Sequence, residues 1–108
     1  MLKMGWLKEK REERLIRQMY ERIDGQHIAY ATMRMPDCSE KVLGKEGSVN
    51  LVDGEILVRV GDRYVFRGDL DQVQLGELTS LNGITVKGFD KESGTERSVI
   101  AYYVYYRK

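Results

Sequence analysis

The sequence predicts a mainly β protein of the α+β class, in which one N-terminal amphipathic helix precedes about seven antiparallel strands that form a small barrel or roll. Residues up to about 23 contain no proline and are rich in helix-forming side chains. Beyond Gly25, short β-rich runs alternate with glycine-containing turns at the spacing of hairpins. A chain of 108 residues accommodates one hydrophobic core. We therefore expect a helix over residues 1–24 that packs on a β domain over residues 25–108.

The predicted helix runs from Met4 to about Ile23 and ends at Asp24-Gly25, because glycine readily adopts the left-handed conformation just past a helix end. The residues on its apolar side recur with the period of a helix and are Leu15, Ile16, Met19, Tyr20 and Ile23. We expect this side of the helix, and Leu15, Met19 and Ile23 in particular, to be buried against the β domain.

The turns of the β region are marked by glycine next to Asp or Asn. Asp53-Gly54 and Asn82-Gly83 both suit the two positive φ angles of a type I′ hairpin turn. Residues 37–45 are predicted to be the longest irregular segment. The last strand, from Arg97 to Tyr106, carries apolar residues on both faces, so we expect the helix to dock near it.

An open antiparallel sheet of this length would expose two edges, which favours a barrel or roll. The strand number and the rhythm of the hairpins over roughly residues 40 to 106 loosely resemble the pleckstrin-homology class of small β rolls. That resemblance implies a roll that binds a small ligand or a lipid. The class places a helix after its last strand, whereas the helix of this chain comes first.

The charge of the chain is nearly balanced, but its two parts differ. The formal net charge is +1. Residues 1–22 contain seven Lys or Arg and four Glu, which leaves a small acidic excess in the remainder. The N-terminus has no apolar stretch typical of a secretory signal, and no apolar run approaches the roughly 20 residues that a membrane span needs. The location predicted from these features is cytoplasmic.

Residues suited to catalysis or metal binding are few. Cys38 is the single cysteine, so no internal disulfide forms, and His27 is the single histidine. These two flank the first strand, about 25 to 30 Å apart, which is too far for a nucleophile and its base. Asp69 and Asp71 are candidate calcium ligands, but acidic residues are also typical of tight turns. We expect no enzyme activity, no cofactor and no bound metal.

A group of tyrosines near the C-terminus suggests an alternative function. Four of the last seven residues are tyrosine, namely Tyr102, Tyr103, Tyr105 and Tyr106. Aromatic rings can stack with the bases of single-stranded nucleic acid. Such a platform normally lies in a basic groove, whereas residues 23–108 have an acidic excess.

The predicted partner-binding residues are Met4, Trp6 and Leu7, which precede a run of seven charged residues. The helical rise places Trp6 about 13 Å beyond Leu15, past the region that a small barrel covers. Exposed Trp beside Leu and Met is typical of protein contacts. We therefore predict a non-enzymatic protein-interaction module, either an oligomer subunit or an adaptor. Peripheral contact with a membrane is a less favoured role for the same residues.

Overall fold

The computed structural model describes the backbone of residues 2–104 and the side chains of residues 13–104. The chain begins with one helix, α1 (Leu2–Ile23). Seven strands follow: β1 (His27–Arg34), β2 (Glu40–Val52), β3 (Glu55–Val60), β4 (Arg63–Asp69), β5 (Gln74–Glu77), β6 (Gly83–Asp90) and β7 (Thr95–Tyr103). The predicted order of elements, a helix and then about seven strands, is confirmed.

All seven strands belong to one antiparallel sheet with the order β4-β3-β2-β1-β7-β6-β5. Strands that are consecutive in the chain are neighbours in the sheet, with the exception of β4 and β5, which do not pair. The first strand, β1, also pairs with the last strand, β7. The sheet curls into a half-barrel, which confirms the predicted small β roll. Its two edge strands are β4 and β5.

The curl brings β4 close to the end of β6, and polar contacts join the two. The backbone N–H of Arg67 donates to Oδ1 of Asp90 at 3.0 Å, and the N–H of Lys91 donates to the carbonyl of Arg67 at 2.7 Å. The guanidinium of Arg97 donates to the carbonyl of Val65 at 3.2 Å. These contacts satisfy backbone groups of the β4 edge that a neighbouring strand would otherwise pair.

The hydrophobic core lies inside the curl and follows the two-residue alternation of the strands. In β3, for example, Ile56, Val58 and Val60 are buried, while the intervening residues are half-buried. The other large buried side chains include Ile23, Ile28, Val49, Phe66, Ile84, Val86 and Val99. The first of these belongs to α1, so the end of the helix is part of the core.

Of the two turns predicted from Asx-Gly dipeptides, one is confirmed. Asp53 and Gly54 have φ angles of 52° and 76°, as a type I′ turn requires. The prediction for Asn82-Gly83 is wrong, since the positive φ angle, 59°, belongs to Leu81 and Gly83 begins β6. A Cβ atom at Gly83 would lie 2.3 Å from the carbonyl oxygen of Ala101. Glycine is therefore needed there for the close approach of β6 to β7.

The prediction of an irregular segment over residues 37–45 is also wrong. β2 begins at Glu40 and pairs with β1 from Arg34↔Glu40 to His27↔Ser48, with a register shift between Ala31 and Thr32. The backbone ladder with β1 stabilises this polar stretch, although its side chains lack the apolar alternation of a strand. Only residues 35–39 form the turn.

Among the helix side chains that the structure describes, those of the last part of α1 dock on the sheet. Ile23 is fully buried and Met19 is packed against the core, as expected, but Leu15 and Ile16 are 63% and 45% exposed, so their predicted burial is wrong. The helix contacts chiefly β2 rather than β7. Backbone bonds hold its end, since the N–H of Gly25 donates to the carbonyl of Val49 at 2.8 Å.

Candidate functional site

The predicted partner-binding residues Met4, Trp6 and Leu7 lie in the first half of α1. Their backbone is helical and continuous with the docked end of the helix, but their side chains lie outside the described residues. Their role in binding stays a prediction.

An exposed apolar surface lies on the same helix, beyond the run of seven charged residues that follows them. Every side chain from Glu13 to Gln18 is exposed, so this stretch of α1 stands away from the sheet. Ile16 is separated from Ile23 by only about 20° around the helix axis. One apolar side of the helix is therefore buried in the core at Ile23 and open to a partner at Leu15 and Ile16.

An ion pair fixes the orientation of the docked end of α1. Nη2 of Arg22 lies 2.6 Å from Oε1 of Glu77 on β5, and Nε of Arg22 donates to the second carboxylate oxygen at 3.3 Å. The hydrogen bond from Arg22 lowers the pKa of Glu77 below its ordinary value. The carboxylate of Glu77 is therefore negatively charged at neutral pH and pairs with Arg22 of the helix.

Tyr103 reaches toward this ion pair from the inner side of β7. Its hydroxyl oxygen is buried and has no hydrogen-bond partner within residues 13–104. Burial, followed by the negative charge of Glu77, raises the pKa of Tyr103 to about 12. The hydroxyl of Tyr103 therefore stays protonated in the folded protein.

Replacing Tyr103 with phenylalanine is expected to leave the stability at neutral pH unchanged or slightly higher, because the buried hydroxyl makes no hydrogen bond to lose. The folded-state pKa of about 12 exceeds the ordinary value of 10.0. The contribution of this tyrosine is therefore fully present below pH 10 and declines as the pH rises toward 12. Denaturant unfolding of both proteins across this range should give a smaller alkaline loss in Tyr103→Phe. Equal alkaline losses would contradict the raised pKa.

The two C-terminal tyrosines that the structure describes, Tyr102 and Tyr103, lie on opposite faces of the sheet. Tyr102 points to the outer face of the sheet, where it stacks on Tyr30 with ring centroids 4.6 Å apart, whereas Tyr103 faces inward. Tyr105 and Tyr106 lie outside the described residues.

Glu40 connects this aromatic pair to the sheet. Its Oε1 accepts hydrogen bonds from the hydroxyls of Thr32 at 2.7 Å and Tyr102 at 2.9 Å. The bond from Thr32, and then that from Tyr102, lowers the pKa of Glu40. The aromatic pair therefore lies next to a carboxylate, which disfavours a phosphate backbone at this point.

A cleft of about 570 Å³ opens near the ends of strands in the middle of the sheet. It is lined by the ends of β1, β6 and β7, by Met35 and Pro36 of the β1–β2 turn, and by Gln72 and Gln74 beside β5. Its charged lining residues are Arg34, Lys87, Glu96 and Arg97. The volume lies within the range of pockets that hold small ligands.

Of the two acidic residues considered as calcium ligands, Asp69 binds the ammonium group of Lys91 at 2.7 Å, and Asp71 is exposed. His27 and Cys38 are both exposed, one at the start of β1 and one beyond its end. Among the residues that the structure describes, no three His, Cys, Asp or Glu side chains come together in a way that would hold a metal ion.

Comparisons with protein-family models, curated proteins and solved structures found no match to this chain. In the described range, no helix combines the length and the apolar composition that crossing a membrane requires.

Proposed function

We propose that this protein is a non-enzymatic interaction module that associates through the exposed part of α1, with a second copy of the chain as its partner. The observation that carries the proposal is the continuation of one apolar helix side from the buried Ile23 to the exposed Leu15 and Ile16. Met4, Trp6 and Leu7 are the predicted contact residues farther toward the N-terminus, with Leu7 on the opposite side of the helix from Ile16.

The physical argument for a partner is the cost of leaving such a helix unsupported. A helix in water derives most of its stability from the packing of its apolar side, and the sheet supplies packing only near Met19 and Ile23. Association would bury the apolar side chains farther along. The proposed module would therefore be more stable as an oligomer than as a monomer.

Charge supports a second copy as the partner. Residues 1–22 have a basic excess, and the remainder of the chain has an acidic one. Complementary charges of this kind attract one copy to another and increase the rate of association. An adaptor that binds a different acidic protein would use the same helix.

Replacing Leu15 and Ile16 together with serine is expected to convert the oligomer to a monomer. Each substitution removes about 1.5 to 3 kcal/mol of favourable apolar burial at the contact. Together the two substitutions should weaken the affinity by about a hundredfold or more. Light scattering coupled to size-exclusion chromatography, over a series of protein concentrations, measures the change in mass.

Val42→Ser with Phe89→Ser is the matched control, because both side chains are exposed apolar groups on the β domain. This control should keep the mass of the parent. Equal masses for the helix variant and an oligomeric parent would show that these residues are not the contact. A monomeric parent would contradict self-association and favour the adaptor alternative.

We further propose a cytoplasmic location for the module. The single cysteine, Cys38, is exposed on the β1–β2 turn and requires no oxidising compartment. Localisation of a fluorescently tagged full-length chain tests this proposal.

A further inference from the structure

The 570 Å³ cleft is lined in part by a row of polar residues that crosses four strands. The register pairs Gln74 with Lys87 and Lys87 with Ser98, and Arg34 follows Met33, which pairs with Val99. Alternation along each strand turns these residues away from the core, because their neighbours Val86 and Val99 are fully buried. That row is Gln74, Lys87, Ser98 and Arg34, and all four residues line the cleft.

The row consists of hydrogen-bond donors that the described residues leave unused. Arg34 and Lys87 are exposed and belong to none of the ion pairs found among residues 13–104. No side-chain hydrogen bond within that range involves Ser98 or Gln74. Glu40, the register partner of Arg34, accepts hydrogen bonds from Thr32 and Tyr102, and these bonds, followed by the charge of Arg34, lower its pKa.

The spacing of the row suits one anion between two cations. Adjacent strands are about 4.8 Å apart, so the backbones at Arg34 and Lys87 are separated by about 10 Å, with Ser98 between them. Both cationic side chains are long enough to reach a group seated above that serine. Their charges and the hydroxyl would then converge on a single ligand group.

We infer that this cleft binds a small ligand through a phosphate monoester group, held by Arg34 and Lys87 over the hydroxyl of Ser98. Phosphate has three terminal oxygens, which match two cations and a neutral donor better than the two oxygens of a carboxylate. Met35 and Pro36 of the β1–β2 turn line the same cleft and offer apolar contact to the body of the ligand. This inference does not depend on the proposed self-association.

Glu96 and Arg97 also line the cleft. Arg97 is engaged elsewhere, since its guanidinium lies 3.6 Å from the buried carboxylate of Asp90 and donates to Val65. Glu96 is exposed at the rim and opposes an anion. The acidic excess of residues 23–108 favours a small ligand over a long phosphate chain such as nucleic acid.

The test is a titration of the full-length, isotope-labelled protein with phenyl phosphate, in which binding is measured from the changes in the amide chemical shifts of the protein. Shifts centred on Ser98 and Lys87, with a dissociation constant of about 10 mM or tighter, are expected. Benzoate, which carries the same ring on a carboxylate, should bind at least tenfold more weakly. No shift at these residues, or equal binding of benzoate, would overturn the inference.

Two sets of variants identify the residues responsible. Arg34→Gln with Lys87→Gln should weaken binding at least tenfold, while Glu96→Gln should strengthen it severalfold by removing a like charge. Lys41→Gln with Lys45→Gln is the control, because it removes the same net charge from exposed sites outside the cleft. Equal weakening in the control, or no effect of Glu96→Gln, would overturn the assignment to the cleft. Thermal melts check that each variant is folded.

The source of the phosphate is settled by a vesicle assay. Phosphatidylcholine vesicles with and without phosphatidic acid are sedimented with the parent and with the Arg34→Gln, Lys87→Gln variant. Sedimentation that requires both phosphatidic acid and the two cations assigns the site to a lipid headgroup. Binding of phenyl phosphate without such sedimentation assigns it to a soluble phosphate ester.

Discussion

Replacing Ile23 with aspartate is expected to lower the free energy of unfolding by about 4 kcal/mol or more. Ile23 is fully buried in the core, and removal of a buried isoleucine side chain alone costs about 2 to 5 kcal/mol. The new carboxylate adds the cost of a buried charge without a partner. Domains of this size are stable by only about 5 to 15 kcal/mol, so the variant should be largely unfolded or close to it. Circular dichroism during chemical and thermal denaturation measures the loss.

Ile16→Asp is the matched control, because it makes the same change on the same side of the helix at a residue that is 45% exposed. We expect this variant to keep the fold of an isolated protomer while weakening association, so it must be compared at low protein concentration. If both variants unfold at the same denaturant concentration, the helix does not dock in the way described. The pair of variants therefore separates the structural end of α1 from its proposed contact surface.

Replacing Asp90 with alanine is expected to destabilise the protein by about 3 to 5 kcal/mol. The carboxylate is fully buried at the end of β6 and accepts hydrogen bonds from the backbone N–H groups of Arg67, Glu92 and Ser93 at 3.0 to 3.2 Å. The guanidinium of Arg97 lies 3.6 Å away. Each buried donor left without an acceptor costs about 1 to 3 kcal/mol, and a charged donor costs more.

The effect of Asp90→Ala should be specific to this position. Asp71→Ala is the control, because Asp71 is an exposed acidic residue with no side-chain hydrogen bond in the part of the chain that the structure describes. Asp90→Asn keeps one carbonyl acceptor and should be intermediate. Urea denaturation of the three variants gives the order of their stabilities. If Asp90→Ala were as stable as Asp71→Ala, the contact between β4 and the β6–β7 turn would not hold the roll closed.

Patterns within a short stretch of sequence predicted the local features of the fold well. Helix propensity and Asp24-Gly25 predicted where α1 ends, and Asp53-Gly54 predicted its hairpin turn, because both depend on the backbone preferences of a few residues. The same reasoning failed at Asn82-Gly83. There the close approach of Ala101 requires glycine in an extended conformation, and the neighbouring strand is not visible in the local sequence.

The candidate sites could be predicted only in part. The importance of the helix follows from its apolar and charged patterns, but the boundary between its buried and exposed parts depends on where the sheet ends. The cleft residues Arg34, Lys87 and Ser98 gave no signal, since they are separated in sequence and single polar residues on strands are usually solvated. The pairing of β1 with β7 brings them together.

Local propensity and the alternation of apolar residues are enough to predict the class of the fold, the position of the helix and the number of strands. They do not predict which strands meet, that β2 extends back to Glu40, that Asp90 joins β4 to the β6–β7 turn, or that Leu15 and Ile16 of α1 stay exposed. These features depend on contacts between residues far apart in the chain. Only the curl of the completed sheet establishes those contacts.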